Sequence, residues 1–588
     1  MQSGAGRRDW AGLLAFVVAI ACAPAVSSRF VSLDDPLYLS SPYVSRGLEW
    51  SAVSFSFTSV SDLYWHPLTW LSHELDFSLF GAAPAGHHFT SVLLHATSAG
   101  LLFLVLRRLG ARSWFAVGGA LVWAVHPLRV ESFAWVAERK DVLCAAFFLG
   151  AVLAYLRYVE RPSRGGYMGW AALGMCALLS KPAAVSIVPV LLILDWWPLR
   201  RARGAVWLVF EKTPLVAMTA VVAGLTVYGQ RVSGSMSYLA DVGLATRIEN
   251  AAVSLVRYLG RMAYPVNLSC FYPYDRNPAW VVPAMVVAAI TGGAIAMRRR
   301  WPWLLAGWAW FVIGVLPNLG ILQAGRQSMA DRFTHLPMIG IVVAVVFSLS
   351  AWAGTDGRRN RALAWAACAV LLVLSGLTWR QIGYWHDSVK LAEHALEVEN
   401  SDFMRANLGT TLLEEQRYGE AEEHFREAIR LNGRQADYHS NLANILLRTG
   451  RLAGANAESA IAARLKPEDV AVATTRGLVL LQAGEYGPAL EWIRRAVAVG
   501  ATRGPLAVRL NDWGVRLASH GEPGQAEPLL REAVELDGTL VPARRNLVLA
   551  LEDEGRRDEA RRALEEAIGA TGAVLQYGDL ARELGVAR

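Results

Sequence analysis

The stretch WAGLLAFVVAIACAPAVSSRFVSLDDPLYLSS, residues 10–41, decides the fold class, because it joins an apolar run to two adjacent aspartates. The run over 10–28 contains no charged residue and is long enough to cross the hydrocarbon core of a bilayer. Asp34 and Asp35 follow it within a few residues, and an anionic pair at a lipid boundary is costly unless it faces water, a cation or a reacting group. The stretch therefore predicts a membrane helix that leads into a functional loop.

Composition extends this prediction to most of the chain. Of 588 residues, 54% are hydrophobic, 18% are charged and 22 are Trp, which lies outside the usual range of soluble proteins. Long uncharged runs recur from about residue 10 to 380, whereas the remainder is rich in Ala, Glu, Arg and Leu with helical periodicity. We predict an all-α protein with a polytopic membrane helix bundle over 1–380, a connecting helix over 381–401 and a helical repeat domain over 402–588.

Six clusters of Lys and Arg lie at every second junction between the apolar runs and orient the predicted spans. The positive-inside bias places the N-terminus in the cytoplasm and the alternate loops outside. The segment AAVSLVRYLGRMAYPV (251–266) is interpreted as an amphipathic helix on the outer face, because a span there would place two arginines in the bilayer. Eleven spans put the repeat domain outside, although the first run is alternatively a cleaved signal peptide. The predicted spans lie near residues 10–28, 89–106, 113–128, 141–156, 167–180, 182–197, 213–229, 280–297, 302–320, 334–352 and 362–379.

The net charge of +7 does not indicate nucleic-acid binding, because the positive residues cluster at the ends of apolar runs, as in membrane proteins. Four of the five cysteines lie in predicted membrane helices and only Cys270 lies in a loop, which argues against a disulfide framework and a CxxC metal site. The composition, rich in Ala, Arg and Gly, is typical of a bacterial protein. We therefore predict a multi-pass protein of the bacterial plasma (inner) membrane without a nucleic-acid partner.

Charged residues crowd the external loops of this topology. The loop HPLRVESFAWVAERKD (126–141) carries six charges close to lipid, and LLSKPAAV (178–185) holds Lys181 in a tight turn. A basic residue at the interface can hold a lipid phosphate, and a nearby carboxylate can accept a proton from an attacking hydroxyl. These are the minimum parts for sugar transfer from a lipid-phosphate carrier, although a solvated salt-bridged turn explains 126–141 equally well. Membrane-surface packing explains His66 and His73 better than a metal site does, since their spacing is not diagnostic of ligands.

Small residues recur at a fixed period in the C-terminal part of the chain. The first small position of the first four repeats, at spacings of 34, 34 and 37 residues, is occupied by Gly409, Ala443, Gly477 and Gly514, and the fifth repeat has Val548 there. A period of 34 is typical of the tetratricopeptide repeat (TPR), a pair of antiparallel helices. Five repeats over about 402–574 are predicted to stack into an α-solenoid that the last stretch caps. Such arrays bind extended peptides or partner helices, so the predicted partner of this domain is a polypeptide.

Six motifs precede the repeats: FVSLDDPLY, WHPLTWLSHELD, HPLRVESFAWVAERKDVL, LLSKPAAV, LDWWPL and MADRFTHLPMIG. Together with the repeats they resemble the transmembrane-and-TPR (TMTC) proteins and their bacterial relatives, whose animal members are protein O-mannosyltransferases of the GT-C glycosyltransferase superfamily. The resemblance covers nearly the whole chain and is densest over 30–200 and 320–340. It implies a GT-C fold, a catalytic first external loop with acidic residues, and a polyprenyl-phosphate-linked sugar as donor.

The resemblance also implies roles for individual residues. Asp34 and Asp35 match the acidic site, where one carboxylate is expected to act as general base on a Ser/Thr hydroxyl while the sugar is transferred with inversion. Asp35 is favoured by a narrow margin, because it lies farther from the membrane run. The predicted phosphate-binding residues are Arg139, Lys140, Lys181 and Arg332, and the predicted supporting residues are Glu131, His66 and His126. No cofactor is certain, and SSPY after the acidic motif offers no obvious second carboxylate, so participation of a divalent metal is left open.

The predicted function is that of an integral membrane glycosyltransferase. It moves a sugar, mannose by the resemblance, from polyprenyl phosphate to Ser/Thr hydroxyls of exported proteins on the extracytoplasmic face, and the repeat domain binds the acceptor. Two alternatives are a non-catalytic membrane-anchored TPR scaffold for protein assembly and a GT-C enzyme with a glycolipid or cell-wall glycan acceptor. The enzyme is favoured because one span suffices to anchor a scaffold. No motif identifies the sugar, the carrier length, the acceptor or the oligomeric state.

Overall fold

The computed structural model describes residues 4–60, 65–232, 242–275, 277–321, 326–572 and 574–586. The chain divides into two compact units, Met1–Asn400 and Ser401–Arg588. Both are helical, and the strands found in the described residues are the antiparallel pair β1 (Tyr272–Pro273) and β2 (Gln327–Met329). The predicted all-α class is confirmed, whereas the domain boundaries predicted at 380 and 401 stay predictions.

Apolar stretches separated by charged turns form the helices of the first unit, since a backbone in an apolar environment must satisfy its own hydrogen bonds. Several helices begin with proline in the first turn, where its missing N–H costs little, as at Pro67, Pro84 and Pro302. The helices are α1 (Gly4–Cys22), α2 (Asp35–Leu39), α3 (Trp50–Thr58), α4 (Pro67–Phe80), α5 (Pro84–Arg108), α6 (Ser113–Ala124), α7 (Val130–Ala134), α8 (Arg139–Glu160), α9 (Arg164–Ser180), α10 (Ile187–Trp196), α11 (Ala205–Phe210), α12 (Thr213–Val232), α13 (Leu244–Ala263), α14 (Val281–Ala296), α15 (Pro302–Val315), α16 (Met338–Ala353), α17 (Gly357–Tyr384) and α18 (Ser388–Val398).

The apolar runs of the sequence fall on the helices α1, α5, α6, α8, α9, α10, α12, α14, α15, α16 and α17. Shorter apolar helices, such as Pro302–Asn318 and Met338–Ala353, accompany the long ones. The chain is therefore a membrane protein, as predicted, while the number of eleven spans and their orientation stay predictions. Within the described residues, the five segments long and apolar enough to cross a membrane are Asp9–Ser27, Pro84–Arg108, Val136–Glu160, Thr213–Val232 and Gly357–Tyr384.

Small residues bring α15 and α16 into close contact. A methyl group added at Gly307 would lie 2.3 Å from the carbonyl oxygen of Gly340, so the two backbones touch where these glycines meet. Such contacts hold helices together in lipid, where burial of apolar surface gives little net drive for association. In the same unit α8 packs against both α5 and α9. This packing holds the N-terminal turn of α8, where the charged motif of residues 126–141 ends.

The segment predicted to be an amphipathic helix forms α13. Its buried face, which includes Ala251, Leu255 and Tyr258, packs against Trp308 and Phe311 of α15. The apolar side of α13 thus covers other helices of the unit. Its position at the outer membrane face stays a prediction.

The C-terminal end of the first unit is hydrogen-bonded to the loop that follows α1. The backbone N–H of Arg29 donates to the carbonyl of His386 at 2.8 Å, and that of Ser32 donates to the Ser388 hydroxyl at 2.8 Å. The segment from α17 into α18 therefore lies beside the loop that carries the two aspartates.

The second unit repeats a pair of helices with the predicted period. A methyl group added at Gly409 would lie 2.9 Å from the ring of Phe425, and Ala421 is fully buried, so the small residues occur where paired helices touch. The predicted TPR array is confirmed. Its helix pairs are α19 (Asp402–Glu414) with α20 (Tyr418–Leu431), α21 (Ala436–Arg448) with α22 (Leu452–Leu465), α23 (Val470–Gln482) with α24 (Tyr486–Ala498), α25 (Arg503–Ser519) with α26 (Pro523–Leu536) and α27 (Val541–Asp553) with α28 (Arg557–Thr571), and α29 (Gly578–Glu583) follows them.

Candidate active site

The buried carboxylate of Glu138 forms ion pairs with three cations. Its oxygens lie 3.1 Å from Lys140 Nζ, 3.3 Å from Lys181 Nζ and 3.0 Å from Arg332 Nε. These cations come from three separate segments: the first turn of α8, the turn after α9 and the short 3-10 turn Asp331–Thr334. We call Glu138, Lys140, Lys181 and Arg332 the cation cluster. Three of the four residues predicted to bind the donor phosphate are thus brought together.

Two more carboxylates complete the charge balance around this cluster. Asp141 lies 2.5 Å from Lys181 Nζ. Glu131 accepts the backbone N–H of Arg332 at 2.8 Å and pairs with the guanidinium of the same residue. Burial raises the pKa of Glu131 to about 7, although the positive charge of Arg332 opposes the shift. Three carboxyl groups therefore lie against three cations, and such pairing is what buried charges require.

Asp35 joins the first loop to this cluster. One carboxylate oxygen accepts the backbone N–H of Val31 and the other accepts that of Ala137, both at 2.8 Å. The side chain is only 1% exposed, and burial raises the pKa of Asp35 to about 7 in spite of these two donors. Since Ala137 precedes Glu138, this contact holds the first loop against the cation cluster.

Asp34 has a different environment from its neighbour. It is exposed and precedes α2, and its side chain makes no capping hydrogen bond there. It lies near enough to Tyr38 and Lys140 for its charge to act on both. The structure therefore presents Asp34 as a solvent-facing carboxylate beside the cation cluster.

Tyr38 lies against Lys140, and His66 is hydrogen-bonded to Tyr38. The Tyr38 hydroxyl is hydrogen-bonded to Nε2 of His66 at 3.0 Å, and Lys140 Nζ lies 5.6 Å from the centre of the Tyr38 ring. Burial lowers the pKa of His66 to about 3, so its imidazole is neutral. The indole of Trp70 stacks on His66 with ring centres 5.7 Å apart, which fixes the orientation of the imidazole.

Arg139 lies outside the cation cluster. Its guanidinium is fully buried, is 2.7 Å from a carboxylate oxygen of Asp76 and donates to the hydroxyls of Ser72 and Ser91 at 3.0 and 2.8 Å. Successive residues of a helix point about 100° apart, so Arg139 and Lys140 face different neighbours. The structure gives Arg139 a place in a buried ion pair with α4.

His126 also lies apart from the cluster. Its Nδ1 accepts the backbone N–H of Leu128 at 3.2 Å, which caps a short 3-10 turn, and its Nε2 lies 3.1 Å from the carbonyl oxygen of Met262. These contacts attach the charged loop to α13. The His126 side chain therefore has a structural role, because its two contacts stabilise the conformation of the loop.

Sequence reasoning did not assign Glu138, Asp141, Tyr38 or Asp331 to the site. Asp331 is buried, and it accepts a hydrogen bond from the Tyr272 hydroxyl at 3.0 Å. One signal could have found the carboxylates: cations at bilayer depth need partners of opposite charge, and Glu138 and Asp141 flank the basic pair in the motif ERKD.

The cluster leaves little free space in this structure. A cavity of about 20 Å³ lies between Asp141, Lys181, Arg332 and His335, which is the space of about one water molecule. A phosphate group needs more room, so it can reach these cations only if a carboxylate moves. Within the described residues, no group of three or more His, Cys, Asp or Glu side chains is placed to hold a metal ion.

Comparisons with known proteins agree with this architecture. A family model described as tetratricopeptide repeat matches residues 407–458. Two solved structures are similar to part of the chain, with low TM-scores. MamA is 16% identical, with 30% of this chain and 94% of that chain covered and a TM-score of 0.25. YrrB, a TPR protein with an unusual peptide-binding site, is 18% identical, with 33% of this chain and 100% of that chain covered and a TM-score of 0.27.

A polytopic helical membrane unit with a buried ionic cluster under its loops, followed by a TPR array, defines a class of membrane proteins with helical repeats. Within that class, the chain is similar to the TMTC protein O-mannosyl-transferases. It is 30% identical over 184 residues to Tmtc2 of Drosophila melanogaster, with 29% of this chain and 20% of that protein covered. It is 22% identical over 503 residues to TMTC1 of Homo sapiens, with 74% of this chain and 56% of that protein covered. The matches thus span about half of these relatives' length or less.

Proposed function

We propose that this chain is an integral membrane glycosyltransferase that moves mannose from a polyprenyl-phosphate carrier to Ser/Thr hydroxyls of exported polypeptides. The reaction takes place on the extracytoplasmic face of a bacterial plasma membrane. One observation carries the proposal: the exposed carboxylate of Asp34 lies near enough to Lys140 for their charges to interact, and Lys140 is one of three buried cations that converge on Glu138. The relationship to proteins named O-mannosyl-transferases supports the sugar and the protein acceptor.

Asp34 is the general base in this proposal. The acceptor hydroxyl oxygen attacks the anomeric carbon, the bond from that carbon to the phosphate oxygen breaks, and the hydroxyl proton passes to the Asp34 carboxylate. The polyprenyl phosphate leaves with the bonding electrons, and attack from the opposite face inverts the configuration. Asp35 is less suited to this role, because both of its oxygens accept backbone hydrogen bonds and burial raises its pKa to about 7. Asp35 holds the loop in position instead.

The cation cluster binds the donor phosphate by exchange of anions. In the structure the Glu138 carboxylate occupies the point on which Lys140, Lys181 and Arg332 converge. The negative charge on the leaving phosphate grows during transfer, and prearranged cations stabilise that growth. We therefore propose that the phosphate takes the place of the Glu138 carboxylate, because buried cations left without any anion would be strongly destabilising.

The second unit binds the acceptor polypeptide in this proposal. TPR arrays present extended surfaces formed by stacked helix pairs, and such surfaces bind polypeptide segments. A protein acceptor fits this unit better than a glycolipid does. The same unit would also be present in a non-catalytic scaffold, so the chemistry of the first unit distinguishes the two functions.

The test uses purified full-length protein with radiolabelled polyprenyl-phosphate mannose and a Ser/Thr-rich acceptor polypeptide. Asp34→Asn removes the base and keeps the shape, so transfer is expected to fall by about a hundredfold or more. Glu49→Gln is the matched control, because Glu49 is another exposed carboxylate of the same loop. Equal transfer by the two variants, or no transfer by the parent protein, would overturn the proposal. Label that moves from the donor to a different lipid and to no polypeptide would overturn the protein acceptor.

A further inference from the structure

A surface cavity of about 580 Å³ lies at the C-terminal end of α13, and the proposed function does not use it. Its walls come from the last turns of α13, the following loop and the end of α18. The lining residues used below are Arg257, Arg261, Tyr264, Val266, Asn267 and Glu399. All of them belong to the first unit.

Specific contacts hold the walls of this cavity together. His394 of α18 contacts the carbonyl oxygen of Leu268 through Nε2 at 2.9 Å, and its ring stacks on Tyr384 with centres 3.5 Å apart. Glu399, one turn beyond, is thereby kept beside the loop after α13. Arg261 donates to the carbonyl oxygen of Asn267 at 3.2 Å and closes the other end of the loop.

The charges of the cavity have both signs. Arg257 and Arg261 lie four residues apart on one side of α13, and their positive charges act on the Glu399 carboxyl. Glu399 repels a multiply charged phosphate, whereas a polypeptide can offer a carboxylate to the arginines and backbone N–H groups to Glu399. Tyr264 and Val266 add apolar wall for a side chain. This mixture suits a polypeptide segment better than a phosphate-bearing lipid headgroup.

A short path of contacts joins the cavity to the candidate active site. Arg261 donates to the Tyr272 hydroxyl at 2.5 Å, and that hydroxyl donates to Asp331 at 3.0 Å. Asp331 precedes Arg332 of the cation cluster. Arg261 therefore lies two hydrogen bonds from Asp331, a residue adjoining the proposed phosphate site.

We propose that this cavity binds a segment of the acceptor polypeptide that carries a carboxylate side chain, and that Arg257 and Arg261 pair with that carboxylate. The proposal rests on the proposed transferase function. It makes an acidic residue near the modified Ser/Thr a determinant of acceptor choice.

The experiment compares two fluorescent acceptor peptides that differ only in an acidic residue or its amide, using the full chain. The variant is Arg257→Gln, because Arg257 lies outside the proposed catalytic machinery and Arg261 holds Tyr272. Arg298→Gln, an exposed arginine after α14, is the control. Arg257→Gln is expected to raise the Kd and the KM of the acidic peptide about fivefold, the upper range for an exposed ion pair, without changing kcat or the values of the amide peptide. Arg257→Glu is expected to favour a peptide with Lys at the same position.

Binding and transfer are read separately, so the two proposals can fail separately. Charge-dependent binding without sugar transfer would overturn the transferase and leave the cavity as a peptide site. Transfer with equal KM for both peptides in the parent protein and in Arg257→Gln would overturn the cavity proposal alone. Competition by phosphatidylglycerol vesicles, with no preference for the acidic peptide, would assign the cavity to a lipid headgroup and overturn it as well.

Discussion

The Glu138 carboxylate and the Lys181 ammonium lie 3.3 Å apart and join the ends of two neighbouring helices, α8 and α9. The same carboxylate also contacts Lys140 and Arg332, so one side chain holds three segments of the chain together. Because all four side chains are buried, their charges depend on one another far more than surface ion pairs do. This dependence leads to the first prediction.

Glu138→Gln is expected to destabilise the protein by about 3–5 kcal/mol, because it leaves buried positive charge without a partner. Added inorganic phosphate is expected to recover part of the loss if the cations can take an anion in its place. The measurement is thermal unfolding in detergent with and without phosphate. Glu160→Gln is the control, since Glu160 forms an exposed pair with Arg108 and its loss should cost about 1 kcal/mol or less. Unchanged unfolding of Glu138→Gln would contradict the central role of this carboxylate.

Arg139→Met is expected to lower stability by about 3–5 kcal/mol, because Asp76 is then buried without its cation. The double variant Asp76→Asn with Arg139→Met should lose much less than the sum of the single variants. The kcat of the correctly folded fraction should stay near that of the parent, since Arg139 lies outside the cation cluster. Size-exclusion chromatography measures the folded fraction, and transfer per folded molecule measures kcat. If Arg139→Met kept normal stability but lost sugar transfer, the result would instead support the sequence-based prediction that Arg139 binds the donor phosphate.

Stability should depend on pH through Asp35. Burial raises the pKa of this carboxyl from its ordinary value of 3.8 to about 7, so the folded state binds a proton that the unfolded state has lost between these values. Buried His66, whose pKa burial lowers to about 3, makes stability rise with pH over the same range, so the Asp35 effect is read as a difference between variants. The contribution of Asp35 to the free energy of unfolding is expected to fall as the pH rises from about 4 to about 7, by an amount on the order of a few kcal/mol. Burial also raises the pKa of Asp331, to about 6, and adds to the same trend.

Asp35→Asn should make this pH dependence shallower, since Asn cannot titrate. Unfolding temperatures from pH 4 to 8 give the slope for each variant. Asp437→Asn, at an exposed carboxylate of α21, is the control and should leave the slope unchanged. Equal slopes in the parent protein and in Asp35→Asn would contradict the raised pKa of Asp35.

Gly514→Ala should loosen the fourth helix pair of the repeat unit. The added methyl would lie 2.5 Å from Leu530 Cγ, and such overpacking costs about 1–3 kcal/mol. Gly569→Ala is the matched control, because nothing lies within 4 Å of its added methyl and a helix interior gains about 0.5–1 kcal/mol from the exchange. Hydrogen exchange of peptides from α25 and α26 in the full chain measures the difference. Equal protection in both variants would show that the two helices can separate without cost.

The prediction from sequence was strongest where structure depends on local pattern. Apolar runs and the 34-residue period indicated the helices of both units, because helix formation and pairwise packing repeat at fixed spacing. The same reasoning grouped Arg139 with Lys140, which are neighbours in the chain and face different partners in the fold. It also could not distinguish Asp34 from Asp35, since burial of one and exposure of the other depend on residue 137 and its surroundings.

By itself the sequence determined a helical membrane protein with a TPR array, and it placed the charged residues in a few loops. The tertiary structure alone decided which of those charges meet: Glu138 with Lys140, Lys181 and Arg332, and Asp76 with Arg139. The physical reason is the range of the forces involved. Hydrophobic periodicity acts between residues one or two turns apart, whereas a buried charge is stabilised only by the opposite charge that the fold brings within about 4 Å, wherever it lies in the chain.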